Sequence, residues 1–303
     1  MSPKDLTTQS SNFEKLLRSA MELPGIRINR AKFLEKTLSK HYSADIVAKA
    51  IGLNPAQAGI SAQELERFAK SSITYETSKV AGLSAAAGIP GFKAMAVTVP
   101  ADLLQFFGHI LRILQKLAYI YGWQEMFKNS EDDELDDGLS NQLTLFVGVM
   151  FGVNAANAAL SKIANLAAQG IPKHLMRQAL THGTLYPIIK TVFKAVGVKM
   201  TKPVFSQAVG KAIPVVGAVV SGGITFALFK PMSNKLKKHL ITLPIASVDF
   251  YDNPTDSDLT DGKDVIDVDF SDVVIEDVDG LEEKDVLEEA GALEETDERT
   301  YAQ

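Results

Sequence analysis

From Gly138 to Val248 the chain carries twelve lysines and arginines and not one aspartate or glutamate. Ordinary usage makes about a quarter of residues charged, with both signs mixed. A segment of this kind cannot neutralise itself through local ion pairs. Its cations either stay solvated or find carboxylates elsewhere in the chain or an external polyanion. The flanks differ sharply. Residues 1–137 hold 16 basic and 16 acidic residues, whereas residues 249–303 hold 3 basic and 21 acidic ones, for a chain total of −6.

Before residue 245 the punctuation is that of helices. Ser43 precedes an apolar-periodic run ending at Gly52. Ser61 with Glu64 three residues later reads as a capping box for a helix reaching to about Ala87. Gly88-Ile89-Pro90-Gly91 breaks that helix. Pro100 suits the first turn of the next, which stops at Gly122. Further helical segments are expected near 139–168, 172–182, 184–197, 203–210 and 213–240. The expected class is therefore all-α: a helical bundle with Gly-rich apolar hairpins, followed by a mostly disordered acidic tail. The expected divisions are an N-terminal helical segment at 1–30, a helical domain at 31–245 and the tail at 246–303. Too few apolar residues stand among the carboxylates of that tail to offset the entropy of ordering it.

Two uncharged runs, Gly138–Ser161 and Ala212–Phe229, reach the length at which a spanning helix is considered. The first contains Asn141, Gln142, Asn154 and Asn157, and the second is interrupted by Pro214, Gly217, Gly222 and Gly223. Buried or membrane-inserting hairpins fit this composition better than stable spans, and Gly148-x-x-x-Gly152 permits close helix approach in either setting.

The segment Pro100–Gly122 carries the clearest pattern. At about 100° per residue, Asp102, Gln105, His109, Arg112, Lys116 and Tyr119 share one side, and leucines, isoleucines and phenylalanines fill most of the remainder. The plain reading is a solvent face. The alternative is a polar stripe lining a cleft, where an acid, an imidazole and two cations bind an anionic headgroup or phosphate. A catalytic reading would use His109 and Asp102, although seven residues place them about two turns apart, beyond direct contact. Glu64, Glu66 and Glu76 on the preceding helix are read as surface pairing partners.

The run Pro100-Ala-Asp-Leu…His109…Leu111-Arg112-Ile113…Gln115-Lys116-Leu117-Ala118-Tyr119…Tyr121-Gly122 resembles the signature of the EcsC family of bacterial proteins. Gly210-Lys-Ala-Ile-Pro-Val-Val-Gly-Ala-Val-Val-Ser-Gly-Gly223 is similar to that family's Gly-rich hairpin. The resemblance spans roughly residues 30–240. It implies a helical, membrane-associated protein connected with transport or secretion, and no particular reaction. The acidic tail departs from the family's pattern.

Other chemistries find little footing. The chain has no cysteine, which excludes thiolate metal sites and cysteine nucleophiles. His41, His109, His174, His182 and His239 lack metal-site spacing, so neither metal nor cofactor is expected. Glu131–Asp137 lacks the ligand alternation of a calcium loop, and neither a phosphate-binding Gly loop nor a GxSxG elbow occurs. Lys190, Lys194, Lys199, Lys202 and Lys211 precede the Gly-rich run, and Lys230, Lys235, Lys237 and Lys238 follow it. Cations flanking apolar helices suit an anionic membrane surface. Scarcity of arginine and long apolar intervals argue against nucleic acid.

The leading expectation is a cytoplasmic protein, peripheral or hairpin-inserted at the inner face of a bacterial membrane. It would bind anionic lipid or a membrane-protein partner without covalent chemistry, with its acidic tail competing for the basic segment. The alternatives are an enzyme acting on a lipid or phosphorylated substrate through Asp102, His109, Arg112 and Lys116, and a soluble adaptor working through its tail. The polar start, Met1–Asn12, lacks the apolar core of a signal peptide.

Overall fold

The computed structural model describes residues 3–83, 101–127, 137–171, 176, 180–181, 185–201 and 219–253. The expected 210–223 hairpin and the tail beyond Asn253 therefore fall mostly or wholly outside the described residues. Within them the protein is all-helical. Ten α-helices follow one another: α1 (Pro3–Met21), α2 (Arg30–Leu38), α3 (Ala44–Gly52), α4 (Ala62–Leu83), α5 (Ala101–Ile120), α6 (Asp137–Met150), α7 (Asn154–Ala168), α8 (Leu185–Thr201), α9 (Val219–Leu240) and α10 (Val248–Asp252). A 3₁₀ turn at Pro244–Ala246 joins the last two.

Local chemistry sets the helix ends. Asn29 accepts the Lys32 amide at 2.9 Å and opens α2. Ser61 accepts the Glu64 amide at 3.4 Å, which is one half of the expected capping box, while the Glu64 carboxylate accepts from the Ser61 hydroxyl at 3.3 Å. The stop expected for α5 also holds. Gly122 takes φ +98°, and a Cβ there would stand 2.6 Å from the Ile245 carbonyl oxygen, so only glycine lets the chain turn against the 3₁₀ turn.

Helix α5 is the centre of the bundle and touches α1, α2, α4, α6 and α9. Its apolar residues from Leu104 to Ile120 are at most 2% exposed, as the wide apolar arc requires. The N-terminal helix joins the same core: Phe13 lies 6.1 Å from the Phe107 ring and 5.4 Å from that of Phe193 on α8. Ridge packing on this scale is what stabilises helices too short to persist alone.

The uncharged run Gly138–Ser161 is not one helix, as a continuous 139–168 segment would have required. Gly152, at φ +67°, divides it into α6 and α7. Nearly all of α6 is buried within the protein. The two glycines of the GxxxG pattern do different jobs. Gly152 makes the turn, while Gly148 lets α6 approach its neighbours: a Cβ there would lie 2.5 Å from Val192 Cγ1 and 2.7 Å from Ala156 Cβ. Gly148→Ala is expected to lower the urea midpoint, at a cost of about 1–3 kcal/mol from overpacking, despite alanine's better helix propensity. An unchanged midpoint would mean α6 and α8 separate freely. No helix among the described residues is long and apolar enough to cross a membrane.

Candidate functional site

Packing of α4 on α5 brings the stripe to a carboxylate. Glu76, fully buried in the middle of α4, stands opposite three basic side chains of α5. Lys116 Nζ donates to Glu76 Oε1 at 2.6 Å. Arg112 Nη2 reaches the same oxygen at 3.4 Å, and His109 Nδ1 lies 3.5 Å from Oε2. Positions 109, 112 and 116 recur at helical spacing, so one face presents all three. Expected as a surface pairing residue, Glu76 is instead the buried hub. The acid opposing the imidazole comes from a second helix. The Asp102 side chain lies outside the described residues.

Electrostatics explain how a carboxylate survives here. Burial alone would push the Glu76 carboxyl up. The adjoining His109, Lys116 and Arg112 outweigh that and hold it at about 2. Glu76 is thus ionised throughout the physiological range. The cluster is only partly saturated: Glu76 Oε2 and His109 Nδ1 face each other without a hydrogen bond of ordinary length. The Lys116 ammonium also lies 4.9 Å from the Tyr75 ring centroid and 5.8 Å from that of Phe33, within cation–π range. Arg112 Nη1 donates to the Gly25 carbonyl. Its side chain is 22% exposed, against 9% for Lys116 and for His109. The cluster therefore opens toward solvent at Arg112.

The remaining stripe residues part company with this group. Gln105 is half-buried. Tyr119 is fully buried one turn beyond; its hydroxyl donates to Glu125 Oε1 at 2.9 Å and accepts the Met126 amide at 3.3 Å. Burial, with the Glu125 charge beside it, pushes its pKa far up, which keeps the phenol neutral. Gln115, fully buried, accepts the Ile28 amide and donates to the Ile26 and Leu111 carbonyls. Arg30, which no sequence signal marked, is 4% exposed and donates to the carbonyls of Ala50, Ile51, Leu53 and Trp123.

The lysines expected to face a membrane divide by position. Lys237 is buried and pairs with Glu66 at 2.8 Å, binding α9 to α4; its hydrogen bond holds the Glu66 carboxyl below the usual range. Lys199 donates to the Phe151 and Gly152 carbonyls at 2.7 and 3.3 Å, where the C-terminal end of α6 favours a cation. Lys190 and Lys238 are exposed, whereas Lys194, Lys230 and Lys235 are half-buried. Lys202 and Lys211 lie outside the described residues.

Comparison with family models, with curated proteins and with solved structures found no match for this chain.

Proposed function

We propose that this chain is a membrane-associated helical protein of the EcsC kind, docking on the anionic inner face of a bacterial membrane through the lysines of α8 and α9. One observation carries the reading. The segment 138–248 has no carboxylate of its own, and its helices leave Lys190 and Lys238 exposed and Lys194 half-exposed. The resemblance of residues 100–122 and 210–223 to the EcsC signature supports it separately. The acidic residues from Asp249 onward are the chain's own competitor for these lysines, by sign of charge.

Vesicle flotation tests the proposal. Each lysine near an anionic surface contributes about 1 kcal/mol. Replacing Lys190, Lys194 and Lys238 together by glutamine is therefore expected to weaken binding to anionic vesicles on the order of 100-fold. Binding to neutral vesicles should not change. In the same assay a chain ending at Asn253 should float more readily at low salt. Equal flotation of the wild type on neutral and anionic vesicles, or none on either, would reject the proposal.

A second reading, an enzyme acting on a lipid or phosphorylated substrate, is favoured by the Glu76–His109 arrangement. A buried carboxylate facing Nδ1 orients an imidazole for proton transfer at Nε2. Loss of turnover in His109→Gln with retained thermal stability would support it, and unchanged turnover would exclude it.

A further inference from the structure

The charges at the α4–α5 contact do not balance. Lys116 and Arg112 bring two positive charges to the single carboxylate of Glu76, and His109 adds a third when protonated. Lys79 stands nearby, its ammonium 4.7 Å from the centroid of the same Tyr75 ring that Lys116 approaches. Excess charge in a largely buried place is costly unless a counter-charge completes it. The geometry also leaves open valences. His109 is 8% exposed, and its Nδ1 and the Glu76 Oε2 that it faces at 3.5 Å are both buried without a hydrogen bond. Arg112 sits 3.4 Å from Glu76, too long for a strong ion pair, and its guanidinium reaches solvent.

We infer that this cluster binds a phosphate group, gripped by Arg112 at its open end with His109 and Lys116 behind it. A phosphate monoester carries about −1.5 to −2 charges at neutral pH, which matches the excess of one to two positive charges around Glu76. Its three terminal oxygens suit a planar guanidinium fork and an imidazole N–H. Glu76 then acts as the resident anion that keeps Lys116 and Arg112 in place while the site is empty and competes with the ligand when it arrives. The site is separate from the lysines of α8 and α9, so it does not depend on the membrane reading. The phosphate belongs either to a free solute or to a lipid headgroup.

Titration calorimetry on the full chain decides the matter, with inorganic phosphate and dihexanoyl phosphatidic acid below its micelle concentration as the two probes. Saturable binding of inorganic phosphate would identify a soluble phosphate site. Binding of phosphatidic acid alone would identify a headgroup site. Arg112→Gln, at the most exposed member of the cluster, is expected to weaken binding about 10- to 100-fold. His109→Gln should weaken it about 10-fold, and Glu76→Gln should tighten it by removing the competing anion. A merely structural cluster would show lower melting temperatures in these variants without that opposite movement of affinity. The triple lysine variant should bind both probes like the wild type, which separates this inference from the membrane proposal. No heat with either probe at millimolar concentration in the wild type, or affinity unchanged in Arg112→Gln, would overturn it.

Discussion

Replacing Arg30 by methionine is expected to destabilise the protein by about 3–5 kcal/mol, the cost of several unsatisfied acceptors at about 1–3 kcal/mol each, lowering the melting temperature on the order of 10 °C. The guanidinium spreads its donors over four carbonyls from two places in the chain. Three belong to the end of α3 (Ala50 at 3.2 Å, Ile51 at 2.6 Å, Leu53 at 3.1 Å), and one follows α5 (Trp123 at 2.9 Å). The last carbonyls of α3 have no partner within their helix, and Arg30 supplies it. Burial pushes the arginine pKa down, with the Glu125 charge opposing. That carboxylate also accepts the Arg30 backbone amide at 2.7 Å. Methionine fills much of the same volume but leaves the Ala50, Ile51 and Trp123 carbonyls without their side-chain donor, whereas the Leu53 carbonyl keeps Gln124 Nε2 at 3.1 Å. Arg30→Lys should recover little, since a single ammonium cannot span acceptors that a planar fork was built to reach. Urea unfolding checks this. A loss below about 1 kcal/mol would show that water enters and satisfies the carbonyls.

The second large effect belongs to Glu76. At pH 7, Glu76→Gln should cost about 3–5 kcal/mol, because it strands Lys116 and Arg112 with an uncompensated charge. The pH dependence has a definite sign. The Glu76 carboxyl drops from an ordinary 4.5 to about 2 in the folded protein. A depressed folded pKa contributes stability that is present above the unfolded value and lost as pH falls through the folded one. The stability difference between wild type and Glu76→Gln should hold level above about pH 5. It should then shrink by about 3 kcal/mol between pH 4.5 and 2. Taking the difference removes the contribution of the other carboxylates, which titrate in both proteins. A difference that stays constant down to pH 2.5 would mean Glu76 is not held by its three basic neighbours.

Much of the architecture was legible because its signals are local. Gly122 ends α5 and Ser43 stands at the start of α3 as expected, whereas the plain reading of the α5 stripe as a solvent face fails, since His109, Lys116 and Tyr119 are buried. The stripe was legible as a set of side chains on one face. Its counter-ion was not. Glu64, Glu66 and Glu76 share one helix and look alike in sequence, and only the α4–α5 packing sends Glu76 inward while Glu64 stays half-exposed. Arg30 could not be read either. Its partners are backbone carbonyls, which every residue possesses and no sequence pattern marks. Likewise, charge counting cannot tell that Lys199 caps a helix while Lys190 faces solvent.

The buried amide of Gln115 has a consequence for what this chain tolerates over evolutionary time. Connections between helices ordinarily accept insertions and deletions, because their backbone is solvated and owes nothing to the core. The stretch joining α1 to α2 is different. Gln115 holds it at two points two residues apart, accepting from the Ile28 amide and donating to the Ile26 carbonyl, each at 2.9 Å, much as a neighbouring peptide unit would. Arg112 takes the Gly25 carbonyl just before, and Arg30 anchors just after. Adding or removing one residue between positions 25 and 30 would present the wrong backbone group to every one of these side chains. Length drift among homologous chains should therefore collect elsewhere, leaving this short surface connection at constant length.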